Sequence, residues 1–226
     1  MSLQIITLRK LLRFFYATNS QRISLLREDI RSDIQKAASG YDDEDGGGGN
    51  FHVPFWSDAK EHAAGLLDLT QQTSIRVEEN YRRKRLYPLL MVGFLRWWNE
   101  LRRRINEPIR IIRDRFSARF PIREVKAIVR VENLLAIRVG EASDRVIYPY
   151  FPDETPLTEE GARLAIWLIS EAFERREVDE IQILDVIRGV SFSSNSTRMV
   201  GDERKLFVGK YRSLINEWAK LREEYP

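Results

Sequence analysis

The stretch from Arg76 to Phe120 limits the fold more than any other. After Pro88, apolar residues recur at helical spacing: Leu90, Phe94, Trp97, Leu101 and Ile105. At about 100° per residue they fall on one side of a helix, with Leu86 joining across the proline and Trp98 widening the stripe. Arg96, Asn99, Arg102 and Arg103 fall on the opposite side. Two adjacent tryptophans on such a stripe need a core to lie against, because each buries a large apolar area. Pro88 lacks a backbone donor and predicts a kink or restart near Tyr87. Pro108 predicts the same after Glu107, opening a shorter helix with Ile109, Ile112 and Phe116 inside and Arg110 and Arg113 outside.

Charge is segregated in the same region. Residues 76–130 hold sixteen Lys and Arg against six Asp and Glu, a net +10. The whole chain of 226 residues is only +3, so the remainder sums to −7. Such asymmetry bears on partners and not on fold. Arg82, Arg83, Lys84, Arg85, Arg96, Arg102, Arg103, Arg104, Arg110 and Arg113 are therefore candidates for contact with a polyanion. A cationic face attracts nucleic-acid phosphates by counterion release. It also suits an acidic protein surface, including the acidic residues of this chain's own second half.

Composition narrows the class. There is no cysteine, which excludes disulfides, cysteine nucleophiles and thiolate metal sites and fits a reducing cytoplasm. No apolar run approaches the roughly 20 residues of a membrane span, so no integral membrane protein is expected. The first residues, MSLQIITLRKLLRFF, carry Arg and Lys inside the apolar run and lack a small-residue cleavage site, so they read as an ordinary first helix over 3–17. A second helix follows, capped by Asn19 or Ser20 and ended by Ser39–Gly40. Together, residues 1–40 form an expected α-hairpin. Residues 41–50, four acids and then four glycines, read as a flexible linker.

Order returns at Phe51. Ser57 or Asp58 is a plausible N-cap for a helix running on to Val77. Both histidines lie here, and His52, Asp58 and His62 are a conceivable metal ligand set, two of them one helical turn apart. After Phe120 the period changes: VKAIVRV, LLAIRV, RVIYPYF and IQILDVI are rich in β-branched and aromatic residues and predict strands. Gly140–Asp144 predicts a hairpin turn, Pro149 and Pro152 an edge strand or strand exit, and Thr158 the cap of an amply apolar helix. In the last helix Phe207, Tyr211, Leu214, Trp218 and Leu221 alternate spacings of four and three, the seam of a helix pair. Tyr211, Leu214, Trp218 and Leu221 are thus a candidate partner seam for a homo- or hetero-oligomer, or a docking stripe onto the chain's own core.

Motifs for catalysis are scarce. There is no phosphate loop, dinucleotide turn, nucleophile elbow or paired-histidine zinc helix. The best enzymatic lead is Glu124–Val125–Lys126. On a strand, Glu-x-Lys can hold Mg²⁺ and orient a water in a nuclease, provided a second acid lies near; Asp114 is the nearest upstream Asp. No cofactor is implied. The expectation is an α+β protein: a helical N-terminal half of about four helices, with residues 51–120 a basic aromatic helical region. Residues 121–226 then form a small, mainly antiparallel sheet with two helices. The expected role is non-enzymatic, binding a nucleic acid or acidic protein; a Mg²⁺ nuclease is the alternative.

Overall fold

The computed structural model describes residues 2–39, 51–113 and 116–225. The chain runs β1 (Ile5–Thr7), α1 (Leu8–Tyr16), α2 (Asn19–Ser39), α3 (Val53–Ala63), α4 (Leu69–Glu79) and α5 (Tyr87–Arg104). Then come β2 (Ile109–Ile112), β3 (Ala118–Ile122), β4 (Ala127–Val131), β5 (Leu135–Val139) and β6 (Ser143–Tyr150). The last elements are α6 (Glu159–Ala172), β7 (Glu180–Asp185), β8 (Val190–Ser193) and α7 (Glu203–Arg222). The strands make a three-stranded sheet, β1-β4-β3, and a five-stranded sheet, β2-β5-β6-β7-β8. Two pairings are parallel, β1 with β4 and β6 with β7, and the others are antiparallel. A parallel pair needs a crossover, and α6 supplies it between β6 and β7. This is the α+β architecture expected, a helical first half followed by a sheet with two helices.

The larger sheet is covered on both faces, which is why all six residues of β7 are buried. Side chains alternate between two cores. Leu135, Ile137, Val139, Ile147 and Leu184 face Phe55, Trp56, Leu90, Phe94, Trp97 and Trp98 of α3 and α5. Ala136, Val146, Tyr148, Tyr150, Ile181 and Ile183 face the other way, into a core with α1, α6, α7 and the small sheet. Two buried tyrosine hydroxyls are tied down: Tyr211 donates to the Leu3 carbonyl at 2.5 Å and Tyr150 to that of Thr155 at 2.9 Å.

Several expectations are corrected. Residues 109–112 form strand β2, paired antiparallel with β5, in place of the helix expected after Pro108. Over four residues, isoleucines satisfy a period of two as readily as one of 3.6. Residues 5–7 belong to β1, so the first helix begins only at Leu8, with the Thr7 hydroxyl accepting from the Lys10 amide. Thr18 caps α2, one residue before the expected pair, in a reciprocal box with Gln21. The restart expected near Tyr87 is present: α5 begins there with Pro88 in its first turn, where the missing N–H is unneeded. The helix expected to reach Val77 breaks at Gly65, whose φ of +75° suits glycine, and restarts at Leu69 under an Asp68 cap. β6 is an interior strand, but Pro149 stands at its exit as expected, past the last β5 pair, Leu135 with Ile147, where only β7 is alongside. Residues 41–50 and Asp114 lie outside the described residues. Among those described, no helix is long and apolar enough to cross a membrane.

Candidate polyanion-binding face

α5 fixes the geometry of the arginines. Its inner side buries Leu90, Phe94, Trp97 and Trp98, with Phe94 and Trp98 stacked at 6.5 Å. Gly93 lies against the turn after β7, so close that a side-chain carbon there would stand 2.0 Å from the Val186 carbonyl oxygen. Packing this tight fixes the rotation of the helix about its axis. Arg96, Asn99, Glu100 and Arg103 consequently face solvent, with Val92 exposed one turn earlier and Leu89 two. At about 1.5 Å per residue the helix spans about 27 Å.

The ten cations separate by partner. Arg83 donates to the Arg76 carbonyl and the Glu79 carboxylate, Arg85 pairs with Asp153, and Arg104 with Glu100 at 2.5 Å. Arg82, Lys84, Arg96, Arg102, Arg103, Arg110 and Arg113 are exposed and have no ion pair among the described residues. Arg102–Arg104 also sit where the negative end of the helix dipole favours cations. Arg110 alternates with Ile109 and Ile111, which pack toward α5, so it leaves from the opposite face of the sheet, beside Arg138 of β5. The structure thus groups Arg82 and Lys84 at the head of α5 and Arg96, Arg102 and Arg103 along and below it. It sets Arg110 apart.

One residue of this face escaped the sequence reading. Tyr81 is 77% exposed, and the Lys84 ammonium lies 5.4 Å from its ring centroid. The short 3-10 turn Tyr81–Arg83 is held by the Asn80 side chain, which accepts from the Arg82 amide at 3.1 Å, and by Arg83 reaching back to α4. In the sequence Tyr81 only stands at the head of the Arg82–Arg85 run, one helical turn after the apolar Val77, so nothing there marks its ring as exposed.

The remaining candidates do not come together. Glu124 and Lys126 lie in a turn between β3 and β4, not on a strand; Lys126 has a φ of 52°. The Glu124 carboxylate accepts from Arg204 at 2.9 Å, and that bond holds its pKa below the ordinary range. Asp58 is mid-helix and buried, gripped by the Arg76 guanidinium through two bonds of 2.9 and 3.1 Å, which raise the arginine's pKa. His52 stacks on Phe151 at 4.7 Å, and His62 lies by the Leu67 carbonyl in the α3–α4 turn. No group of three His, Asp or Glu among the described residues is placed to hold a metal ion. Tyr211, Leu214, Trp218 and Leu221 are buried in the chain's own core, where α7 meets α1, α2 and α6; the Trp218 indole donates to Asp29 at 3.0 Å. The seam is closed from within. No family model and no curated protein matches this chain.

Proposed function

We propose that the protein is a non-enzymatic cytoplasmic binding module for single-stranded nucleic acid. Tyr81, Arg82 and Lys84 hold the ligand at the head of α5, and Arg96, Arg102 and Arg103 hold it along the helix. The observation that carries this reading is the exposed Tyr81 ring, with the Lys84 ammonium over it and Arg82 next to it in the chain, two cations that have no acidic partner among the described residues. A nucleobase stacks on such a ring whatever its sequence, while the cations meet the phosphates on either side. Cysteine-free composition fits a reducing compartment.

The two kinds of contact separate in a salt titration with a short mixed-sequence oligonucleotide. Tyr81→Ala removes a stack worth about 1–3 kcal/mol and leaves the salt slope unchanged. Arg82→Ala with Lys84→Ala lowers the slope by about 1.4, at about 0.7 per phosphate on single strands. Wild-type protein that binds no oligonucleotide at low salt sinks the reading.

A second reading has its own support. Leu89 and Val92, 43% and 61% exposed, continue the α5 face in apolar form and suit an acidic protein helix better than a phosphate backbone. Leu89→Ser with Val92→Ser would then abolish capture of the partner, a change to which oligonucleotide binding is indifferent.

A further inference from the structure

A groove of about 590 Å³ runs between α1, the start of α2 and α7. Its apolar lining is Phe14, Phe15, Leu206 and Leu214, and its rim is charged. The wall formed by α7 presents Asp202, Lys205, Gly209, Ser213 and Glu217 to the opening. Lys220 stands exposed one turn further on. Gly209 is mid-helix, where glycine is unfavourable relative to alanine. Among the described residues nothing lies within 4 Å of where its side-chain carbon would be, so their packing does not require a glycine there.

Four charges along this strip, Asp202, Lys205, Glu217 and Lys220, complement their own image, while Lys210 on the same wall is already paired with Glu160 at 3.1 Å. Laid antiparallel on its own image, with Gly209 of one helix facing Ser213 of the other, α7 sets Lys205 against Glu217 and Asp202 against Lys220, each contact occurring twice. Lys205 and Lys220 have no ion pair among the described residues. Glu217 pairs with Arg22 at 2.7 Å and Asp202 with Arg163 at 3.3 Å, each keeping acceptor capacity for a second cation. The two small residues at the crossing allow the helix backbones to approach closely.

We propose that this face is a twofold interface, where α7 of one copy packs antiparallel on α7 of a second copy over the mouths of both grooves. An interface of this kind is isologous: the same patch serves both copies, so its charges must complement their own image. The interface is independent of the nucleic-acid reading, because it uses none of the α5 residues.

Sedimentation equilibrium tests it on the full chain. The expected result at about 100 μM is a species of twice the 26.6 kDa chain mass. Gly209→Arg should leave a monomer, and at a dilution where the wild type is monomeric too, its thermal midpoint should equal or exceed that of the wild type, since the site has room for a side chain and any other residue but proline suits a helix better. Lys205→Glu alone and Glu217→Lys alone should each weaken association at least about tenfold. Mixed one to one, they should form a heterodimer, because both crossing pairs are then of opposite sign. A wild type that stays monomeric, a dimer that survives Gly209→Arg, or single variants that do not combine on mixing would overturn the proposal.

Discussion

Two carbonyl oxygens, those of Val186 and Ile187, determine how near α5 comes to the sheet. A side-chain carbon on Gly93 would lie 2.0 and 2.4 Å from them, and the backbone of Gly189, at φ +60°, closes the contact from the other side. Alanine ordinarily stabilises a helix by about 1 kcal/mol over glycine. Here the sign reverses: Gly93→Ala should cost about 1–3 kcal/mol in a urea titration, because neither carbonyl can move without breaking the turn. His52 is the other residue with a sharp consequence. Burial first, then Arg9 and Arg13, push its pKa down to about 3. The unfolded chain takes up that proton near pH 6.5 and the folded chain does not. Stability is therefore whole above pH 6.5 and falls as the pH drops toward 3, by at most about 1.4 kcal/mol per unit. His52→Phe keeps the stack on Phe151 and should flatten the loss of thermal stability between pH 6.5 and 5, above the range where carboxylates protonate. The tryptophan and leucine stripe that orients α5 was legible in the sequence, since burial follows from its period. Tyr81 was not, because a run of four cations reads as solvated surface until the turn holding the ring outward is seen.

Among the elements, long periodic helices were read well and short segments poorly. α6 and α7 lie close to where their spacing and caps put them, with the Thr158 hydroxyl accepting from the Gly161 amide at 3.0 Å. β1 and β2, of three and four residues, suit a helical period as well as a strand, because so few positions cannot tell the two periods apart. The same limit undid the Glu-x-Lys lead, where a left-handed residue turns a strand pattern into a hairpin. A four-three seam says that a helix has a partner but not whose, and for α7 the partner is the chain itself. Replacing Leu214 and Trp218 together with alanine should accordingly unfold the monomer, each truncation costing about 2–5 kcal/mol. Loss of the circular dichroism signal is the expected outcome; a folded double variant would mean that α7 adds little to the core.

At the scale of the whole molecule, one sheet serves two cores, and each is completed by distant parts of the chain. β1 pairs with β4, and the Tyr211 hydroxyl binds the Leu3 carbonyl across 208 positions of sequence. That closure sets an order on biosynthesis. α1 leaves the ribosome well before Phe207 and Tyr211, which its Phe15 packs against. At about 5–20 residues per second, the apolar side of the first helix waits roughly ten to forty seconds for its cover. Through that interval the nascent chain is a client for chaperones and an aggregation risk, and a ribosome stalled before α7 would hold it there.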